Sequence, residues 1–138
     1  LFSGRGFNIE SLSVAPTLEE GVSRMTIATS GDEVIIEQII KQLRKLVTVI
    51  KVVDMNEHKT VHREMMLIKV NAEDSRRAEV LRIVDIFRCK VVDVAANELT
   101  IESTGAQDKL EALLQLLTRF GIKEIARTGV VAMRRSMQ

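Results

Sequence analysis

The residues best placed to do chemistry stand near the start of the chain, in the run Arg5, Gly6, Phe7, Asn8, Ile9, Glu10, Ser11, Leu12, Ser13, Val14. Gly4 and Gly6 lead into a lone Asn and then into alternating apolar residues. That pattern ends a helix, turns, and sets one amide side chain at the mouth of a strand. An amide there can hold a small polar ligand. Asn beside glycine is also ordinary turn chemistry, and this run by itself leaves both readings open.

The other candidates are weaker. His58 and His62 are four apart, a spacing that suits a metal on a helix, but they fall in a stretch without helical periodicity and with no third ligand nearby. The single cysteine, Cys89, reads as a small buried residue near a strand start. A metal-responsive regulator would need His58, His62 and Cys89 to converge. Carboxylates are scattered singly over helix faces, and no Ser, His, Asp or Cys, His grouping is visible, so catalysis is not expected. The dipeptides Arg76, Arg77 and Arg134, Arg135 read as solvated faces.

Composition narrows the partners. With 20 basic and 19 acidic residues interleaved along 138, the chain has no basic block to follow a phosphate backbone, so nucleic acid is not an expected partner. The apolar runs are far too short for a bilayer span, and a membrane partner is not expected either. A lone cysteine is compatible with a reducing cytosol.

Periodicity supplies the elements that must position these residues. Ile9, Leu12 and Val14 lead into a strand ending near Pro16; Thr17 to Gly21 is a hairpin loop, and Met25 and Ile27, alternating with Thr26 and Ala28, return from it. Ile36, Ile39, Ile40, Leu43 and Leu46 form one helical stripe, opened by a capping box at Ser30 and Glu33. Val47 to Val53 reads as a β-branched strand. A second cycle follows: strand Met65 to Val70; helix Arg76 to Phe87 with Val80, Leu81, Val84 and Phe87 inward; strands Val91 to Val94 and Glu98 to Ser103; a helix striped by Leu110, Leu113, Leu114, Leu117 and Phe120; strand Ile122 to Arg127. This is the split βαβ plan, and the fold class is α+β with two ferredoxin-like βαββαβ domains. The boundaries fall at residues 1–56 and 63–138, with 57–62 as linker.

The halves superpose in sequence at a shift of 74 positions. Thr26, Ile27 match Thr100, Ile101; Ser30 and Glu33 match Thr104 and Gln107; Gly31 matches Gly105; the two apolar stripes match position for position. In the second half a strand and most of a helix precede Ile86, Phe87, whereas Leu1, Phe2 stand at that place with nothing before them. The motif therefore predicts that roughly twenty residues are missing from the front of the first domain, in line with the lack of an initiator Met. An RNA-recognition module shares the βαββαβ plan but stacks bases on aromatic residues, where Met25, Ile27, Leu99 and Ile101 are aliphatic. What remains is a pair of sheets, each with an uncovered, partly apolar face through Val14, Met25 and Val49, which suits an assembly protein better than an enzyme.

The runs LFSGRGFNIESLSV, SRMTIATSGDE, QLRKLVTVIKV, HREMMLIKV, FRCKVVDV and ARTGVVAMRR closely resemble the small, regulatory subunit of acetolactate synthase (acetohydroxyacid synthase) over essentially the whole chain. The resemblance implies an ACT domain followed by an ACT-like domain, the first truncated at its front. It implies a non-catalytic subunit that binds and activates a large catalytic subunit carrying thiamine diphosphate, magnesium and FAD, with no cofactor in this chain. It also implies side-by-side pairing of ACT domains into a homodimer, feedback inhibition by valine or another branched-chain amino acid held at their interface, and a cytoplasmic location in a bacterium. The matching site positions are Asn8, whose amide would bond the effector's charged amino-acid moiety, and Ile9, whose backbone and flank would line the site. The family's glycine-containing loop that supplies backbone donors has no counterpart in these residues. A stand-alone amino-acid-binding ACT regulator of a different enzyme is the alternative.

Overall fold

In a computed structural model of the chain, residues 8–30 and 33–136 are described, with the backbone alone for Asn8 and Glu57. The helix end expected over Leu1 to Ser3, its glycine cap and Gly31 lie outside the described residues. The chain divides into two compact units, Leu1–Val61 with Gly129–Gln138, and His62–Thr128.

The second unit shows the plan in full. β3 (Thr60–Asn71), α2 (Asp74–Ile86), β4 (Lys90–Val94), β5 (Glu98–Gly105), α3 (Gln107–Thr118) and β6 (Ile122–Arg127) form an antiparallel sheet in the order β4-β5-β3-β6, the ferredoxin-like βαββαβ arrangement. Alternation sorts the faces: Met66, Ile68 and Val70 of β3 and Leu99 and Ile101 of β5 are buried with Val80, Ile83 and Val84 of α2 and Leu110, Leu113 and Leu117 of α3. Burying this set is the main favourable term for the unit. Phe120 closes one end, with the guanidinium carbons of Arg76 and Arg119 each 4.6 Å from its ring centroid. Cys89, expected to be buried, is only partly so: it packs at the edge of the core just before β4, and its thiol donates to the buried Ser103 hydroxyl at 3.3 Å.

Several expectations need correction here. On α2 the inward positions are Val80, Ile83 and Val84, and Leu81 is 39% exposed, because the helix turns it about 100° away from Val80. The pair Thr104 and Gln107 does not cap α3: β5 runs on to Gly105, Ala106 is the N-cap, and no side chain bonds the cap. Arg76 and Arg77 are not a solvated face. The Arg77 guanidinium donates to the backbone oxygens of Ala72 (3.1 Å), Ala95 (2.6 Å) and Ala96 (3.0 Å), pinning the β4–β5 turn to the end of β3. Leu99 and Ile101, weighed as base-stacking positions, are core; the opposite face carries Met65, Leu67 and Lys69 of β3 against Thr104, Glu102 and Thr100 of β5. Thr60, Val61 and His62, read as linker, already belong to β3.

The first unit holds β1 (Asn8–Pro16), β2 (Ser23–Ser30), α1 (Glu33–Leu46), a 3-10 turn at Met55–Glu57 and β7 (Val131–Arg134). β1 and β2 form an antiparallel hairpin. Its loop is closed by Thr17, whose N–H and hydroxyl donate to the Val22 carbonyl at 2.9 and 2.8 Å, and Gly21 supplies the left-handed residue at φ 78°. On α1 the expected stripe is present, with Ile39 buried and Leu46 exposed. β7 was not foreseen; it pairs with β3, and the Arg135 N–H donates to the Lys59 carbonyl at 2.9 Å.

Val47 to Val53 is not a strand. Its β-branched residues fit extended backbone, but a strand exists only where a neighbour accepts its hydrogen bonds. At the shift of 74 positions this segment corresponds to β6, which pairs with β3; among the described residues of the first unit no strand pairs with it, and Ile50 is left 77% exposed. Val14 and Met25 are 52% and 39% exposed, in line with the expected uncovered, partly apolar face. The positions that match Met25 and Ile27 in the second unit, Leu99 and Ile101, are core.

Candidate functional site

β1 carries both positions that the sequence singles out. The backbone of Asn8 lies opposite Ser30 and that of Ile9 opposite Thr29, at the end of the hairpin away from its loop. The register then slips by one residue at Glu10, so that Ser11 faces Ala28 and Leu12 faces Ile27. A bulge of this kind bends its strand and re-aims the flanking side chains, a device frequent beside binding sites. Beyond it Leu12 and Val14 share a face with Ile27 and Met25, and Ser11 and Ser13 share the other with Ala28 and Thr26.

The polar face meets the tail of the chain. The Val130 N–H donates to the Ser11 hydroxyl oxygen at 3.4 Å, and the Arg24 guanidinium donates to the Ala132 carbonyl at 2.8 Å. Gly129, buried and at φ 82°, makes the approach possible: a Cβ there would stand 3.1 Å from Ser11 Cβ and 3.6 Å from the backbone N and O of Leu12. The segments NIESLS and RTGVV, two of the most distinctive in the chain, are thus in contact. Sequence reading missed Ser11, Arg24 and Gly129. The only signal was the turn-forming pair Thr128, Gly129, which announces a break and not what it packs against.

The remaining candidates do not assemble. Among the described residues no group of three or more His, Cys, Asp or Glu is placed to hold a metal ion. His58 follows the 3-10 turn and donates its N–H to the Met55 carbonyl at 3.2 Å, His62 lies in β3, and Cys89 bonds Ser103. A shallow depression at the end of α1 is lined by residues 44–49 alone. No described helix is long and apolar enough to cross a membrane.

Charge is used inside the second unit. Glu64, 6% exposed, accepts from the Arg127 guanidinium at 2.6 and 3.2 Å, while Glu111 accepts from the same group at 3.4 Å. The bond to Glu64, above all, raises the Arg127 pKa further beyond its ordinary value. On the open face Lys123 bonds the Glu98 carboxylate at 3.0 Å and lowers its pKa, and Lys69 lies 3.5 Å from Glu124. None of these groups is arranged as an acid–base pair around a cleft.

The class these features define is an α+β protein of ferredoxin-like units with a bulged hairpin and, among the described residues, no catalytic constellation. Residues 1–51 match the ACT domain described as acetohydroxyacid-synthase-small-subunit-like, and residues 63–136 match the small subunit of acetolactate synthase. The acetolactate synthase small subunit of Aquifex aeolicus is 56% identical over 138 residues, covering 99% of this chain and 72% of that protein. That of Mycolicibacterium smegmatis is 52% identical over 135 residues, covering 98% and 79%. The crystal structure of the acetolactate synthase small subunit from Thermotoga maritima superposes with a TM-score of 0.84 at 46% identity, covering 99% of this chain and 86% of that one. The chain belongs to the acetolactate synthase small-subunit family.

Proposed function

We propose that this chain is a non-catalytic regulatory subunit which binds and activates the catalytic subunit of acetolactate synthase. In the same proposal it confers feedback inhibition by valine or another branched-chain amino acid. Thiamine diphosphate, magnesium and FAD belong to the catalytic subunit, and the complex works in the cytoplasm. The observation that carries the proposal is the match of both parts of the chain, residues 1–51 and 63–136, to the two parts of that small subunit.

The effector lies where ACT domains of two copies pair, against Asn8 and Ile9 of β1. A backbone pair beside a bulge offers donors and acceptors for an α-amino acid's ends, and Ile9 is half-buried, so it can contribute apolar surface to an aliphatic side chain. Regulation is linkage: the amino acid binds one arrangement of the regulatory pair better than another, and a coupling of about 1–3 kcal/mol changes activity several-fold to about a hundredfold. Purification of the full-length small subunit with the catalytic subunit tests the assignment. Stable association and a raised rate of acetolactate formation are expected. Absence of both would overturn it and favour a stand-alone amino-acid-binding regulator.

A further inference from the structure

We propose that Gly129–Ala132 is a strap that fixes the β1–β2 hairpin in its effector-responsive arrangement, making Ser11, Arg24 and Gly129 positioning residues for the effector strand. The inference rests on the regulatory reading above and adds residues to it.

Three observations carry it. The first is the hairpin's own make-up. It is a two-stranded sheet, and an isolated two-stranded ribbon is marginal in water. Leu12, Val14 and Met25 on one of its faces are 48%, 52% and 39% exposed, so burial on that side is incomplete.

The second is where the strap takes hold. It meets β1 at Ser11, the residue just after the bulge at Glu10, and β2 at Arg24, which lies opposite Ala15. Both strands are therefore held, and on β1 the hold is two residues beyond Ile9, across the bulge. Gly129 lies close enough to Ser11 that a Cβ there would press on its Cβ at 3.1 Å, and its φ of 82° strains any other residue.

The third is that the strap is held beyond its far end. The Arg135 N–H donates to the Lys59 carbonyl at 2.9 Å, within the same unit as the hairpin. A segment held in this way can hold a hairpin; a loose tail would follow it.

The test uses the full-length small subunit reconstituted with the catalytic subunit, as wild type and as Arg24→Met, Ser11→Ala and Gly129→Ala. Association, activation and the midpoint of inhibition by L-valine are measured, with calorimetric binding of L-valine to each complex. Arg24→Met and Ser11→Ala are expected to activate within about twofold of wild type while their valine midpoint rises about three- to tenfold, the loss of one hydrogen bond each. Gly129→Ala should shift it further. Arg24 is exposed, so its variant tests the strap even if Gly129→Ala fails to fold. Unchanged midpoints in Arg24→Met and Ser11→Ala would overturn the strap. Equal loss of activation and inhibition would do so too, because it would show only general damage. A wild-type complex that associates and is activated but ignores valine, leucine and isoleucine would instead overturn the effector reading, and the strap with it.

Discussion

Arg127 and Glu64, 63 positions apart, share a 2.6 Å charge-assisted hydrogen bond in which the carboxylate is buried and the guanidinium is a third exposed. The asymmetry decides what mutation does. Removing Arg127 strands a carboxylate away from water with no remaining ion-pair partner, whereas neutralising Glu64 leaves Arg127 near Glu111 and solvent.

Arg127→Met is therefore expected to destabilise the fold by about 2–4 kcal/mol, and Glu64→Gln by about 1–2 kcal/mol. Urea denaturation of the two variants checks the order. The double variant Glu64→Met, Arg127→Met should be more stable than Arg127→Met alone, since no buried charge is left unpaired.

The Glu98 carboxylate titrates below its ordinary range because Lys123 bonds it. A carboxylate with a lowered folded-state pKa stabilises the fold above its unfolded pKa. That contribution fades as pH falls through the folded value. Lys123→Met should move the Glu98 titration upward when followed by carboxyl NMR, and should flatten the loss of stability on acidification. A titration that stays in place would show that the bond does not persist in solution.

Arg77 ties together three backbone oxygens, those of Ala72, Ala95 and Ala96. Arg77→Met should cost about 1.5–3 kcal/mol, the range for hydrogen bonds to a charged group. Amide exchange should accelerate first in the β4–β5 turn and at the start of α2. Arg77→Lys should recover only part, because an ammonium cannot reproduce the planar fork.

The elements that were legible are those whose signal is local. The β1–β2 hairpin announced itself through alternation and the polar loop before Gly21, and α3 through a stripe in which Leu110, Leu113 and Leu117 are buried and Leu114 partly so. What escaped depends on neighbours. Val47 to Val53 has strand composition and no strand to pair with among the described residues, so composition misled. Leu81 and Ile83 differ by two positions and the same chemistry, and only the packing of α2 on β3 and β5 tells them apart. Of the candidate site, Asn8 and Ile9 could be singled out because Gly-rich turns and family motifs are sequence properties. The strap could not: Ser11 and Val130 are 119 positions apart, and nothing local to either marks the meeting.

The central claim is that β1 carries the effector response of a subunit that otherwise serves association. It is tested most directly by titrating valine, leucine and isoleucine against the full-length subunit reconstituted with the catalytic subunit, as wild type and as Asn8→Ala. The account predicts that Asn8→Ala associates and activates normally while its inhibition midpoint for the preferred amino acid rises about tenfold or more. Inhibition of Asn8→Ala at the wild-type midpoint would contradict it.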